Sequence, residues 1–281
     1  MNVNEWLRVS TKLLETNGVT TARLDCLVLL EDTLGINRAR LLAEPETELS
    51  KDQQAKLKKL LNRRVAHEPL AYIREHSEFY GRDFVITPDV LEPRPESEAI
   101  IDLFKELVSS EPQWQEIDSK VLVADVGTGS GALGITAALE VPNCTVDLLE
   151  ISDEAVKIAK INVDKFTISL SVIISDLLAN APVAYDVLLC NLPYVPDEYP
   201  INEAAAFEPK IALFGGKDGL DLYKRLFGQI GNSPKQPLYL LIESLPAQHG
   251  ELDKIAAQAG YKLYKTKDFI QLFKRARIDQ S

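Results

Sequence analysis

The first 66 residues carry apolar side chains at the three- and four-residue intervals of amphipathic helices. Trp6, Val9, Leu13 and Leu14 predict one helical face, with Gly18 as its C-terminal stop. Leu24, Leu27, Val28, Leu30 and Leu34 predict a second, closed by Gly35. Ser50 and Gln53 form a capping-box pattern ahead of Leu57, Leu60 and Leu61. The pattern then changes. Phe79, Phe84, Val85, Val90 and Leu91 are strand formers around a Gly81-Arg82 turn, which predicts a hairpin. From Glu96 helices and strands alternate. Helices are predicted over 96–109, 131–140, 153–164, 218–230 and 246–259, and strands over 120–126, 144–150, 170–175, 185–190, 237–243 and a final pair near 261–274. The run Val187 to Cys190, with Val183 just upstream, reads as a strand buried on both faces. Such alternation predicts an α/β fold with a doubly wound parallel sheet, and right-handed crossovers leave few topologies. The chain divides into a small all-α N-terminal domain over 1–75, a β-hairpin linker over 76–95 and an α/β domain over 96–281.

Composition narrows the partners. The 281 residues are 46% hydrophobic and 26% charged, with a net charge of −11. A sequence-independent grip on nucleic acid needs a dense cationic surface. Arg63-Arg64 and Lys265 to Arg277 are the local candidates for one, but the overall balance favours a protein or small-molecule substrate and no direct nucleic-acid binding. No apolar run approaches the ~20 residues that span a bilayer, and the opening MNVNEWLRVSTKLLE lacks the pattern of a signal peptide. Cys26, Cys144 and Cys190 are far apart and set in apolar sequence, and His67, His76 and His249 are scattered. Free thiols in a reducing cytoplasm and no metal site are the expectation.

The candidate chemistry sits where strands end. Asp125 closes an apolar strand, and Gly127-Thr128-Gly129-Ser130-Gly131 follows before a helix begins. Glycines let backbone approach a ligand, and the helix start offers free N–H groups. Gly129-Ser130-Gly131-Ala132-Leu133-Gly134 also satisfies the dinucleotide pattern G-x-G-x-x-G, with Glu150 at the ~20-residue spacing of a ribose-binding acid. The glycine turn alone therefore leaves NAD and S-adenosylmethionine both open. Asp125 or its neighbours would meet the amino-acid end of the latter, and Glu150 its ribose hydroxyls. A third strand ends in Asp176-Leu177, suited to an adenine amine and ring, and a fourth in Asn191-Leu192-Pro193-Tyr194. Hydride transfer has no need of that fourth mouth, whereas methylation of an amide or a conjugated amine does. The lone pair of a planar nitrogen is delocalised, so acceptors aimed at its N–H hydrogens orient it and stabilise charge as the methyl arrives. Asn191 Oδ1 and the Leu192 carbonyl are the two acceptors, Pro193 stiffens the turn, and the Tyr194 ring faces the developing cation.

These residues resemble the release factor glutamine methyltransferases, the PrmC/HemK family, over nearly the whole chain. The resemblance is carried by EPLAYI, by FYGRDFVITPDVLEPRPESE, by DVGTGSGALGI, by LLEISDEAVKIAKIN and by FEPKIALFGGKDGLDLYKRL and KDFIQLFKR. It implies a Rossmann-like doubly wound methyltransferase sheet after a helical recognition domain and a hairpin, S-adenosylmethionine as donor, and the glutamine of the Gly-Gly-Gln motif of class-1 peptide chain release factors as acceptor. It also implies that Arg94, Pro95 and Glu96 border the cofactor pocket. Three departures stand out: Leu192 replaces a proline of N-P-P-Y, Glu92 a usually apolar residue, and Ser244 the glycine usual after Glu243. N-L-P-Y is also the form in ribosomal RNA adenine dimethyltransferases, so methylation of an RNA or DNA adenine remains the alternative.

Overall fold

The computed structural model describes residues 1–116 and 118–276. They fall into two compact units, Met1–His76 with Ile201–Phe207, and the described residues of 77–200 with 208–276.

The first unit packs five helices: α1 (Val3–Thr16), α2 (Ala22–Leu34), α3 (Arg38–Ala43), α4 (Lys51–Val65) and α5 (Leu70–Arg74). Ser50 and Gln53 form the predicted capping box on α4, Asn2 and Glu5 form another on α1, and Gly35 closes α2 at φ +65°. The buried face of α1 differs from the one predicted. Val3, Trp6, Leu7, Ser10 and Leu14 turn inward, while Val9 and Leu13 are exposed, because the helix is phased by Trp6 and Leu14 packing on α2 and α4. Leu24 is exposed as well. Arg63 and Arg64 are not a free basic patch. Arg63 pairs with Glu68 and donates to the Tyr72 carbonyl, and Arg64 pairs at 2.6 Å with the buried Asp25 of α2. Leaving Asp25 without that partner would strand a charge in the core, so these arginines are structural.

β1 (His76–Phe79) and β2 (Arg82–Val85) form the hairpin, which from Ser77 on belongs to the second unit, and its turn is Tyr80-Gly81, both at positive φ. Arg82 belongs to β2, and Val90 and Leu91 lie outside any strand. A short turn over Pro95–Ser97 leads into α6 (Glu98–Ser110). There follow β3 (Val121–Val126), α7 (Ala132–Glu140), β4 (Cys144–Glu150), α8 (Asp153–Lys165), β5 (Ser171–Ile174) and β6 (Val187–Cys190). The chain continues through α9 (Lys210–Leu213), α10 (Asp221–Gly231), β7 (Tyr239–Glu243), α11 (His249–Gln258), β8 (Tyr261–Lys267) and β9 (Ile270–Arg275). Strand order in the seven-stranded sheet is β5-β4-β3-β6-β7-β9-β8. The first five are parallel, and β9 runs antiparallel between β7 and β8. β6 is buried throughout, as its apolar run predicts, but Val183 is 48% exposed and outside it. Lys265, Lys267 and Lys274 pair with Glu106, Asp102 and Glu111, which disperses that expected basic patch, and Arg277 lies outside the described residues.

The order reverses between β3 and β6, so the crevice beyond their carboxyl ends is the topological switch point where ligands bind in open α/β sheets. Register sharpens this. Val126 pairs with Leu149 and with Cys190, and Cys190 pairs with Ile242. The next residue on each of these four neighbouring strands therefore falls in one row: Glu150, Gly127, Asn191, Glu243.

Candidate active site

A cavity of about 250 Å³ opens at Glu150, Gly127 and Asn191 of this row, entirely within the second unit. Asp125, Gly127 to Ser130, Glu150, Asp176, Leu177 and Asn191 to Pro193 all line it. Gly131 begins the adjoining helix at φ +83° without lining the cavity, and Tyr194, also not lining it, packs partly buried against the core.

The glycine turn is held from below. Asp125, 1% exposed, accepts from the Thr128 hydroxyl and, at 2.8 Å, from the Gly134 N–H. Burial raises its pKa from 3.8 to about 6, against the opposing effect of those two hydrogen bonds. Its carboxylate thus braces the turn from the cavity floor. Gly134 is needed for packing, since a Cβ there would stand 2.3 Å from Leu148 Cδ2. Asn162, fully buried on α8, adds a brace absent from the predicted set. Its Oδ1 accepts from Val85 N at 2.8 Å, and its Nδ2 donates to the Val85 and Ser130 carbonyls. One side chain thereby ties the hairpin to the glycine turn.

Glu150 Oε2 accepts from Gly129 N at 2.9 Å, and Oε1 accepts from Ile151 N and Ser152 N. A carboxylate offers about four acceptor positions, so one remains for a hydroxyl. Ile151, Leu177 and Ile211 supply apolar cavity wall, and Ile151 and Ile211 are 49% and 63% exposed. Asp176 is ion-paired with Arg225 through Oδ2, and the Gln229 amide holds its carbonyl. One carboxylate oxygen stays outside that pair.

The fourth mouth is the most heavily braced. Asn191 Nδ2 donates to Ser97 Oγ at 2.8 Å, and Ser97 Oγ donates to Glu243 Oε2 at 2.6 Å. Tyr194 donates its hydroxyl to Glu243 Oε1 at 2.9 Å, and burial beside that carboxylate pushes the phenol's pKa far up. Leu192 N donates to Tyr223 Oη at 3.2 Å, and Tyr223 donates onward to the Glu243 carbonyl. Gln248 Nε2 donates to the Tyr194 carbonyl at 2.8 Å, and Val195 exchanges backbone bonds with Leu213 and Gly215. These contacts explain the glycine-rich GGKDGLDL stretch as the bed on which the mouth lies. Arg94 grips the buried Glu208 at 2.6 Å through Nη2, and Glu92, the acid at an otherwise apolar position, lies 3.9 Å from the Arg94 guanidinium. Burial raises the pKa of Glu208 while Arg94 opposes it. Arg94, half-buried, and Pro95 and Glu96, both exposed, are not among the cavity's lining residues, though their neighbours Pro93 and Ser97 are.

Among the described residues no cluster of His, Cys, Asp and Glu is placed to hold a metal, and no helix is long and apolar enough to cross a membrane.

Residues 5–74 match the PrmC N-terminal domain and residues 106–206 the methyltransferase small domain. The release factor glutamine methyltransferase of Koribacter versatilis is 37% identical over 86% of this chain and 86% of its own length. That of Coxiella burnetii is 34% identical over 86% of each chain, and that of Bacillus subtilis is 35% identical over 77% of this chain and 76% of its own. Among solved structures, the hMettl16 catalytic domain with a MAT2A 3′UTR hairpin shares the fold at TM-score 0.54 and 13% identity, covering 83% of this chain and 84% of that one.

Proposed function

The chain belongs to the release factor glutamine methyltransferases, and on that premise we propose that the row Glu150, Gly127, Asn191, Glu243 holds the donor and the acceptor of its reaction. The reaction is transfer of a methyl group from S-adenosylmethionine to the side-chain amide of the glutamine in the Gly-Gly-Gln motif of class-1 release factors.

The residues present suit that donor. Gly127 leaves backbone open to the cavity, Glu150 keeps an acceptor position for a ribose hydroxyl, and Ile151 and Leu177 offer apolar faces for a ring. Bound there, S-adenosylmethionine supplies a methyl already activated on a sulfonium. The chain's part is to hold the glutamine nitrogen in line with it, which can supply much of the rate. Asn191 Oδ1 and the Leu192 carbonyl accept from the two amide hydrogens, and both bonds strengthen as the nitrogen gains positive charge. Tyr194, its hydroxyl hydrogen given to Glu243, would offer its ring to that charge. No strong base is required.

The alignment of Asn191 beside Gly127 carries this reading, because it sets the acceptor mouth one strand from the cofactor turn. Residues 1–75 serve release-factor recognition, with the hairpin 76–95 as linker and 96–281 as catalytic domain. The net charge of −11 fits a protein substrate better than nucleic acid, and the free cysteines fit the cytoplasm. Methyl-labelled S-adenosylmethionine, offered with a release factor and with ribosomal RNA, tests the assignment. Label on the Gly-Gly-Gln peptide is the expected result, and label confined to RNA overturns it.

A further inference from the structure

We infer that Glu243 and Ser97 are positioning residues that fix which end of the Asn191 amide faces the substrate, and that Glu243 sets the Tyr194 ring by the same carboxylate. This rests on the reading of Asn191 as the acceptor for the glutamine amide.

The count of available protons fixes the orientation. Ser97 and Glu243 are 4% and 1% exposed, so water does not compete for their bonds. A serine hydroxyl has one proton to give, and an ionised carboxylate has none. At 2.6 Å from Glu243 Oε2, Ser97 must spend its proton there. Its oxygen then faces Asn191 with lone pairs only, and the atom 2.8 Å away has to be the donor Nδ2. Asn191 Oδ1 is left for the glutamine N–H.

Reverse the first step and the chain of consequences reverses. A protonated Glu243 can donate to Ser97, which then donates to Asn191, and the amide turns its NH₂ group toward another NH₂ group. The clamp loses an acceptor and gains a clash of donors. Oε1 of the protonated acid still accepts from Tyr194, but as a neutral carbonyl oxygen it holds the phenol less strongly than the carboxylate does. An aspartate at 191 would fail for the related reason that it has no hydrogen for Ser97.

The groups facing Glu243 are Ser97, Tyr194 and, at longer range, Arg94 and Glu96, while Tyr223 donates to its backbone carbonyl. Burial raises the carboxyl pKa, Glu96 adds to the rise, and Ser97, Tyr194 and Arg94 oppose it. Activity should therefore fade on the acid side as Glu243 takes up a proton.

The test compares full-length Ser97→Ala, Ser97→Thr, Glu243→Gln and Asn191→Ala for kcat, KM for the release factor, Kd for S-adenosylmethionine, and the pH profile. Ser97→Ala is expected to lower kcat by roughly 10- to 100-fold, the range of a misplaced catalytic contact, with Kd for S-adenosylmethionine within about twofold of wild type. Ser97→Thr restores kcat because the hydroxyl returns. Glu243→Gln lowers kcat and removes the acid-side fall that wild type shows. The inference is overturned if Ser97→Ala and Glu243→Gln keep wild-type kcat, if threonine rescues nothing, or if the acid limb survives in Glu243→Gln. The wild-type and Ser97→Thr profiles decide the matter even where a variant folds poorly. Full activity in Asn191→Ala would instead overturn the clamp itself, whereas an inactive Asn191→Ala beside a fully active Ser97→Ala overturns only the positioning role.

Discussion

Leu192 lies against the bare backbone of Gly127: a Cβ on that glycine would stand 2.8 Å from Leu192 Cδ2. The residue that departs from the usual N-P-P-Y motif is thus buried in the seam between acceptor mouth and cofactor turn, 2% exposed. Gly127 also sits at φ +71°, where a side chain costs about 1 kcal/mol or more. Gly127→Ala should lower Tm and weaken S-adenosylmethionine binding at least tenfold. Adding Leu192→Ala should cost less Tm than it does in the wild-type background, because it relieves the contact although it also empties buried space. Calorimetric Tm values for the single and double variants check this, and strict additivity would remove the packing argument.

Leu192→Pro should be nearly silent in catalysis. The carbonyl that accepts from the glutamine survives the change, and what is lost is part of the leucine's buried packing and the Leu192 N–H bond to Tyr223 Oη at 3.2 Å. A neutral hydrogen bond of that kind contributes about 0.5–1.5 kcal/mol. A denaturation midpoint reads that loss, and a kcat lowered more than about tenfold would show that the leucine side chain itself acts in the mouth.

Asn162→Ala should destabilise the second unit by roughly 3 kcal/mol, because it strands the Val85 N–H and the Ser130 carbonyl together. Asn162→Asp should do no better, since it replaces two donated bonds by facing acceptors. Hydrogen exchange at Val85 is the direct measurement: the amide should lose protection while those of β3 and β6 keep theirs.

The sheet and its strand ends were legible in the sequence for a simple reason. Buried parallel strands are short apolar runs, and Asp125, Glu150, Asp176 and Asn191 each interrupt one at its carboxyl end. The short helices α3 and α5 were not legible, being too brief for a periodic face. Nor was the phase of α1, which tertiary packing sets through Trp6 rather than through the count of apolar residues. The braces were the least visible. Ser97 and Glu243 are 146 residues apart, and Asn162 and Val85 are 77 apart. A serine ahead of a helix and an asparagine within one carry no local sign of such partners. The salt bridge from Arg225 to Asp176 escaped for the same reason.

Glu150→Gln tests the ribose assignment. Glutamine keeps one acceptor oxygen and sets an NH₂ group against either Gly129 N or the Ile151 and Ser152 amides, all of which now donate to the carboxylate. Losing a charge-assisted contact costs about 1.5–3 kcal/mol, so Kd for S-adenosylmethionine should rise by roughly 10- to 100-fold. Titration calorimetry measures it, and an unchanged Kd would remove Glu150 from the cofactor site.

Asp125 makes the stability of the fold depend on pH. Its carboxyl holds a proton up to about 6 in the folded chain, against 3.8 ordinarily, chiefly because it is buried. The fold therefore favours the protonated form. Stability from this group is fully present below the ordinary value and is lost as pH rises through about 6, by roughly 3 kcal/mol in all. Asp125→Asn cannot ionise, and its amide oxygen can still accept from Thr128 and Gly134. Its stability relative to wild type should climb between about pH 4 and about pH 6 and then level off. Chemical denaturation across that range reads the difference directly. A constant gap between the two proteins would mean that Asp125 is already ionised at low pH and that Thr128 and Gly134 outweigh its burial.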